Sequence, residues 1–459
     1  MIEVVVTVNS PGEVATWLEP LARELLPRLG DGRLTVMIPP CTFASGAEAR
    51  VVRSLLGDDP RVQVYEPRQV LAWLFFRKRL PGYRPAGRGA VLFLGGDMVY
   101  AAWIARRLGY RALAYTEGRI RWTGTFERFF LPDAGALERA RRRLGAEAAA
   151  MASRLDVVGD LMADAAQSRI PPQEVRERLG LTSGEQLLLL LPGSRPAEVR
   201  LVLPLFLDGL GVLAGAGPAE GGRPLRAIIA VSPFAEGEGA AAVARQHLER
   251  AGGWREAGRR VAAEEGWTDS RLAGARRVVL AERVGGSRPL RVELVQGATR
   301  ELMAAADLAV TIPGSNTAEM AAFGLPMVVV LPLQWPEEIP LEGLPGLLGG
   351  IPWLGPAIKR RVVRRLERAI GLVALPNRKA GRMVVPELRG EITPERIGQE
   401  LAAWLDDELR RATVRRELEA LRGPTGAARR VAEQALDLAR GVTGTRAGGS
   451  GDSNVEVLR

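Results

Sequence analysis

Two short turns in the second half of the sequence contain the residue types that bind phosphate. Their residues are Gly193, Ser194 and Arg195 in the first turn and Gly314, Ser315, Asn316 and Thr317 in the second. Each turn leads from a strand-like run into a helix-like segment, so an anion can approach N–H groups where the helix dipole favours negative charge. One such turn alone is as readily explained by an ordinary helix cap. Two of them in one domain predict a diphosphate site at the carboxyl edge of a sheet.

A cation and a carboxylate extend this predicted site. The guanidinium of Arg195 is suited to charge-assisted hydrogen bonds with phosphate oxygens. Glu319 lies on the helix that follows the second turn, where its carboxylate can accept hydrogen bonds from both hydroxyls of a ribose. These residue types predict a ligand that carries both a diphosphate and a ribose.

Two carboxylates in the first half of the chain are candidates for a catalytic base. Asp97 follows Gly95 and Gly96 at the end of a predicted strand, and the alternative role for it is that of a helix N-cap. Glu13, in the loop after the first predicted strand, is the second candidate. The only histidine, His247, lies in a polar helical pattern, so carboxylates are the expected proton acceptors. With one histidine and no Asp-x-Asp pair, no metal site and no cofactor are expected.

The elements that must position these residues alternate between short β-branched runs and longer amphipathic segments. This alternation predicts parallel sheets covered by helices, in an α/β fold of two doubly wound, Rossmann-like domains that face a cleft. We place the first domain at 1–172, the second at 182–392 and closing helices at 393–440. Residues 441–459 are rich in glycine and serine and are expected to be disordered.

Composition limits the classes of partner. The chain has 459 residues, a formal net charge of +10 and a single cysteine, Cys41. One cysteine excludes an internal disulfide and is typical of a cytoplasmic protein. No apolar run reaches bilayer-spanning length, and the opening MIEVVVTVNS predicts a buried strand rather than a signal peptide. The positive charge favours an anionic partner, but the sequence contains no nucleic-acid-binding signature.

One segment, residues 70–84, predicts contact with an anionic membrane. It joins an apolar helical face to a basic end, and the residues expected to touch the membrane are Trp73, Phe75, Phe76, Arg77, Lys78 and Arg79. Aromatic residues beside arginine and lysine are typical of helices that lie in the membrane interface. The alternative is a core helix with a solvated basic end.

Four segments resemble the lipid-A-disaccharide synthase family and its relatives, which are glycosyltransferases of the GT-B fold. The segments are VGDLMADA at 158–165, LLPGSRPAEVRLVLPLFL at 190–207, TIPGSNTAEMAAFGLPMVVV at 311–330 and LPNRKAGRMVVPELRGEITPERI at 375–397. They occur in the order in which the family has them. The resemblance implies a metal-independent transfer of a sugar, of the N-acetylglucosamine type, from a UDP-sugar to a lipid-linked acceptor.

The resemblance also implies roles for individual residues. Arg195 and the turn from Gly314 to Thr317 would hold the diphosphate, Glu319 would hold the ribose, and Asn377 and Arg382 would line the same pocket.

The first half of the chain departs from the family pattern. The family's opening loop reads Gly-Glu-Ala-Ser-Gly-Asp, whereas residues 12–17 read Gly-Glu-Val-Ala-Thr-Trp. The family's Trp-Ala-Trp stretch is replaced by GRIRWTGTFERFFLPD at 118–133. These differences leave the acceptor and the oligomeric state open. They also leave two alternatives to transfer: a UDP-sugar 2-epimerase of the same fold, and a non-catalytic relative that binds a sugar nucleotide or a lipid.

Overall fold

The computed structural model describes residues 1–41, 44–76, 78–215, 223–235, 237–251, 253–256, 272, 275–283, 288–334 and 371–441. The predicted disorder of 441–459 therefore concerns residues that, except for Gly441, lie outside the described chain. The first strands form where runs of valine and leucine occur, because strands of a parallel sheet are buried on both faces.

The first sheet has seven parallel strands in the order β3-β2-β1-β4-β5-β6-β7. The strands are β1 Glu3–Thr7, β2 Arg33–Met37, β3 Val62–Tyr65, β4 Gly89–Phe93, β5 Arg111–Tyr115, β6 Phe126–Leu131 and β7 Leu155–Val157. The strand order reverses direction at β1 and β4. In doubly wound folds the ligand crevice lies outside the carboxyl ends of the strands at such a point.

The helices of the first domain cover both faces of this sheet. They are α1 Pro11–Glu13, the π-helical turn Val14–Leu18, α2 Glu19–Arg28, α3 Glu48–Leu56, α4 Pro67–Phe76, α5 Met98–Leu108, α6 Ala134–Leu144, α7 Ala148–Met151 and α8 Leu161–Ala165. The next helix, α9 Pro172–Arg178, packs through Val175 into the core of the second sheet. Two 3₁₀ turns, Gly145–Glu147 and Ala152–Arg154, flank α7. Residues of α2 and α3 pack on one face of the sheet, and residues of α4, α5 and α6 pack on the other.

Within the described residues the second sheet has eight strands in the order β10-β11-β12-β9-β8-β13-β14-β15. They are β8 Gln186–Leu191, β9 Leu225–Val231, β10 Arg255–Glu256, β11 Arg276–Arg283, β12 Leu290–Gln296, β13 Leu308–Thr311, β14 Met327–Pro332 and β15 Glu387–Gly390. The pairs that involve β11 are antiparallel and the other pairs are parallel. The predicted fold class, two doubly wound Rossmann-like domains, is confirmed.

The described helices of the second half carry the remaining motifs. They are α10 Pro196–Gly215, α11 Gly237–Ala251, α12 Thr299–Ala305, α13 Ser315–Ala322, α14 Leu375–Ala380, α15 Pro394–Asp406, α16 Glu408–Ala420 and α17 Ala427–Arg440. The sequence pattern predicted one helix over 394–421, but the chain breaks at Asp407. The Asp407 carboxylate accepts a hydrogen bond from the Arg410 N–H group at 2.8 Å and starts a new helix.

The last helix, α17, returns to the first domain. Its apolar residues, among them Val431 and Leu436, share a core cluster with Val4 and Leu25 of the first domain. The buried carboxylate of Asp164 fixes the start of this helix, because it accepts hydrogen bonds from the N–H groups of Gly426 at 2.6 Å and Ala428 at 2.7 Å. The VGDLMADA segment therefore has a structural role in joining the end of the chain to the first domain.

Candidate active site

The loops after β1 and β4 meet at the carboxyl edge of the first sheet, and Glu13 joins them. One carboxylate oxygen of Glu13, Oε2, accepts hydrogen bonds from the N–H groups of Asn9 at 2.9 Å and Ser10 at 3.2 Å. The other oxygen, Oε1, accepts one from the N–H group of Gly96 at 3.0 Å. The glycine at position 95 is required by this arrangement, since a Cβ atom there would overlap the Glu13 carboxyl group.

Burial raises the pKa of Glu13 above its ordinary value, although the N–H groups of Asn9 and Gly96 and the contacts with Ser10 act in the opposite direction. A glutamate whose pKa is raised exchanges its proton closer to neutral pH, which is the property required of a general base or acid. Glu13 also completes the capping box of α1 with Ser10, so its carboxylate has a structural role in this loop as well as a raised pKa.

Asp97 lies next to this carboxylate but has a different environment. It is exposed, and its side chain accepts a hydrogen bond from the Val99 N–H group at 3.0 Å at the N-terminus of α5. This is the helix-capping role that the sequence offered as the alternative. Asp97 directly follows Gly96, whose N–H group donates to the Glu13 carboxylate. Asp97 and Glu13 therefore lie at the same edge of the sheet.

The N-terminus of α13 in the second domain lies directly against this loop. A Cβ atom at Gly12 would lie 2.5 Å from the hydroxyl oxygen of Ser315. Gly314 is exposed, and Ser315 and Asn316 are partly exposed. The phosphate-type turn of the second domain thus faces the Glu13 loop of the first.

Two of the four predicted turn residues also make internal contacts. Asn316 donates a hydrogen bond to the Thr311 hydroxyl. The buried hydroxyl of Thr317 donates to the carbonyl of Gly314 at 2.8 Å and accepts from the N–H group of Leu375 at 3.1 Å. Thr317 therefore holds the turn in shape and ties it to α14, while Ser315 lies against Gly12 of the first domain.

In the other predicted turn, a side chain of the protein occupies the place expected for an anion. The Glu198 carboxylate accepts hydrogen bonds from the N–H groups of Ser194 at 3.0 Å and Arg195 at 3.1 Å, and it also pairs with the Arg195 guanidinium. Gly193 adopts a φ of +119° beside it. A diphosphate that bound to these N–H groups would have to displace Glu198.

Glu319, the predicted ribose ligand, pairs with an arginine that the sequence analysis missed. The Nε group of Arg300 donates to the Glu319 carboxylate at 2.7 Å. The same guanidinium reaches the first domain, where it donates to the Glu19 carboxylate at 2.8 Å and to the carbonyl of Ala15 at 2.6 Å. Arg300 therefore links the two domains beside the cleft. In the sequence, no motif distinguishes Arg300 from the other arginines that lie near the start of helices.

The charge of Arg300 is secured by its partners. Burial alone lowers the pKa of an arginine, but the carboxylates of Glu319 and Glu19 outweigh that effect and raise the pKa above its ordinary value. The guanidinium therefore stays cationic at physiological pH. A second link runs through Lys379 of α14, whose amine lies 3.3 Å from Asp133 and 3.8 Å from Asp160.

Asn377 and Arg382, which the resemblance assigned to the donor pocket, make contacts within the second half of the chain. The buried side chain of Asn377 donates to the Val385 carbonyl and the Glu387 carboxylate, both at 2.8 Å, and accepts from the N–H groups of Val384 and Val385. Its hydrogen-bonding capacity is used within its own loop. The exposed Arg382 pairs with Glu417 of α16 at 2.8 Å.

The predicted membrane residues divide into two groups. Trp73 is only 7% exposed and packs edge-on against Tyr83, so it is a core residue and we remove it from the membrane-facing set. Phe75, Phe76, Lys78 and Arg79 are exposed. Arg77 lies outside the described residues.

Within the described part of the chain, no group of histidine, cysteine and acidic side chains has the arrangement of a metal site. No helix in the described ranges has the length and apolar character that crossing a bilayer requires.

The fold and the facing turns define a two-domain α/β protein of the GT-B type, and comparison with known proteins adds a family resemblance. No family model matches the chain. The lipid-A-disaccharide synthase of Anaeromyxobacter dehalogenans strain 2CP-1 is 29% identical over 274 residues, which are 59% of this chain and 54% of that protein. The enzyme of the same name from Syntrophus aciditrophicus is 28% identical over 285 residues, 61% of this chain and 57% of that protein. The resemblance to lipid-A-disaccharide synthases that the motifs predicted is confirmed, and the chain spans about half the length of the curated relatives it matches.

Among solved structures, the complex of MnaA from S. aureus with UDP superposes with a TM-score of 0.52 at 10% identity, and it covers 96% of this chain and 98% of that one. At this identity the likeness concerns the fold alone.

The Arg300 bridge gives a direct test of how the domains are held together. Replacing Arg300 with Gln leaves the Glu319 carboxylate without its cation and leaves Glu19 with only the exposed Arg23 at 3.1 Å. Breaking a buried pair in this way typically costs about 3–5 kcal/mol. We expect the midpoint of thermal unfolding to fall by roughly 6–10 °C in scanning calorimetry.

Arg128→Gln is the matched control, since Arg128 pairs with Asp156 at 2.7 Å and both side chains are more than a third exposed. Exposed pairs contribute at most about 1 kcal/mol. If the two variants unfold at the same temperature, Arg300 does not hold the domains together.

Proposed function

We propose that the chain is a glycosyltransferase that moves a sugar of the N-acetylglucosamine type from a UDP-sugar to a lipid-linked acceptor without a metal ion. The observation that carries this proposal is the contact between Gly12 and Ser315, which places a carboxylate of raised pKa beside the N-terminus of α13. The similarity to lipid-A-disaccharide synthases supports a sugar-transfer reaction and a lipid acceptor.

The donor belongs to the second domain in this proposal. The first N–H groups of α13 offer positive electrostatic potential to a diphosphate. The guanidinium of Arg195 would join them by exchanging its contact with Glu198 for one with the diphosphate. The structure of MnaA with UDP supports a uridine nucleotide as the ligand of this fold. Glu319 would accept hydrogen bonds from the ribose hydroxyls, for which it must share or exchange its contact with Arg300.

The reaction needs a proton acceptor and a stabilised leaving group. As the acceptor hydroxyl oxygen forms its bond with the anomeric carbon of the sugar, the bond from that carbon to the UDP oxygen breaks, and the hydroxyl proton passes to a carboxylate. The negative charge that develops on UDP is stabilised by the α13 N-terminus and Arg195, so no divalent ion is required.

We assign the proton acceptor to Glu13 and the helix cap to Asp97, which reverses the order that the sequence favoured. Burial holds the pKa of Glu13 above that of an ordinary glutamate, whereas Asp97 is exposed and committed to the N-terminus of α5. With a lipid-linked acceptor, we propose that the protein works as a peripheral protein at the cytoplasmic face of a membrane.

Donor binding is tested by a substitution in the first turn. Arg195→Ala removes a charge-assisted contact with the diphosphate, and we expect UDP affinity to fall about thirtyfold, which corresponds to roughly 2 kcal/mol. Isothermal titration calorimetry with UDP measures the change. Arg396→Ala is the control, because Arg396 is an exposed arginine of the same domain on α15. Equal affinities for both variants would show that the turn has only a structural role.

The pH dependence of turnover tests the assignment of the base. A carboxylate base must be ionised, so kcat/KM of the native protein should fall as the pH drops through the pKa of Glu13, which lies above the ordinary value of 4.5. Glu13→Gln should lower turnover by about 10²–10⁴ and remove this acidic limb, with UDP affinity unchanged.

Asp97→Asn is the companion variant, since asparagine caps a helix about as well as aspartate. We expect its turnover and its acidic limb to match those of the native protein. A large loss in Asp97→Asn together with a normal rate in Glu13→Gln would move the base to Asp97.

A further inference from the structure

A basic pocket lies in the first domain, away from the cleft. It has a volume of about 350 Å³, and its walls include the cations Lys78, Arg79, Arg84 and Arg107 and the aromatic rings of Trp73 and Tyr83. None of the described residues that line it is a carboxylate. Its charge therefore selects for an anion.

The pocket lies at the opposite edge of the sheet from the candidate active site. It is built by the last turn of α5 and by the segment between α4 and the first residue of β4, Gly89. Glu13 and Asp97 follow the carboxyl ends of β1 and β4 instead. A five-residue strand spans about 17 Å, so a ligand in this pocket is not in contact with the reacting groups.

The wall of the pocket is fixed by a buried network. The fully buried Glu3 carboxylate accepts hydrogen bonds from the Tyr83 hydroxyl and the Ala86 N–H group, both at 3.3 Å. Arg33 pairs with Glu3 at 2.9 Å and donates to the carbonyl of Arg84 at 2.6 Å. The loop that carries Arg84 is therefore held in place before any ligand binds, which lowers the entropy cost of binding.

The pocket cations have no acidic partners in the described part of the chain. The guanidinium of Arg107 stacks over the Trp73 ring at 4.7 Å, which fixes its position but leaves its charge without a carboxylate. A phosphate monoester presents several oxygens that match such a group of guanidinium and ammonium donors.

Apolar side chains project beside the pocket. Phe75 and Phe76, at the end of α4, are 51% and 73% exposed. Phe75 packs edge-on against Trp103 of α5 at 5.2 Å. Exposed aromatic rings next to a basic pocket match the two parts of an anionic lipid, the headgroup and the acyl region.

We propose that this pocket binds the phosphate headgroup of an anionic lipid while Phe75 and Phe76 enter the membrane interface. The site is a docking site separate from the active site, so this inference goes beyond the proposed function. Its test uses no nucleotide, and its failure therefore leaves the proposed function untouched.

The test is flotation of the full chain with phosphatidylcholine vesicles that contain or lack phosphatidic acid. Each basic residue near an anionic surface contributes about fivefold to binding. The pocket variant Arg84→Gln/Arg107→Gln should therefore bind phosphatidic acid vesicles about thirtyfold more weakly than the native chain. Arg50→Gln/Arg141→Gln is the matched control, because both arginines are exposed, lie outside the pocket and remove the same charge.

Two further arms separate headgroup recognition from other effects. Phe75→Ser/Phe76→Ser should lose vesicle binding and keep the binding of soluble short-chain phosphatidic acid, and inorganic phosphate alone should bind weakly. Lys78→Gln/Arg79→Gln replaces the first pocket variant if thermal unfolding shows that the latter is misfolded. Equal losses in the pocket and control variants would reduce the effect to general charge attraction and overturn the proposal, as would native binding in both pocket variants.

Discussion

The guanidinium of Arg300 is the interaction on which the arrangement of the cleft depends. It donates to Glu319 in the second domain and to Glu19 and the Ala15 carbonyl in the first. A buried cation between two carboxylates stabilises one relative orientation of the groups that surround it, since any other orientation leaves a charge unpaired. The bridge lies beside the place where the Gly12 loop meets Ser315, and it occupies the Glu319 carboxylate.

The loops at the two carboxyl edges follow a common principle. Glycine-rich turns expose backbone N–H groups that need an acceptor. In the first domain Glu13 accepts from the turns after β1 and β4, and in the second domain Glu198 accepts from the turn after β8. Each glutamate keeps a turn in the shape that suits an anion. The two glutamates differ in their surroundings. Glu13 lies where the domains meet, whereas Glu198 pairs with Arg195 and occupies the place of a predicted ligand.

The sequence was sufficient for the features that depend on local pattern. Continuous apolar runs such as residues 187–191 mark buried parallel strands, and the turns at 192–195 and 313–317 follow from their glycine and proline residues. The sequence pattern predicts no strand at β6, because polar residues interrupt its apolar run: Arg128 pairs with Asp156 of the adjacent strand. It predicts none at β15 either, because this strand begins with Glu387, which accepts hydrogen bonds from a neighbouring loop.

The sequence pattern did not predict contacts between segments that are far apart in the chain. Nothing near Arg300 indicates that it pairs across the domains, and nothing near Asp164 indicates that it caps a helix more than 250 residues later. Trp73 looked like an interfacial residue because its neighbours are apolar and basic, yet the fold buries it under Tyr83 and Arg107. Local pattern identified the candidate residues, and tertiary packing decided which of them face the cleft.

The proposed reaction in this cleft is the transfer of a sugar from a nucleotide to a lipid. The most direct measurement is mass spectrometry of the products formed when the protein is incubated with a UDP-sugar and membrane lipids, in the presence of a metal chelator. The account predicts a new glycolipid, together with an equimolar amount of free UDP. A UDP-sugar converted to its 2-epimer, or a nucleotide that is bound and left unchanged with every lipid tested, would contradict it.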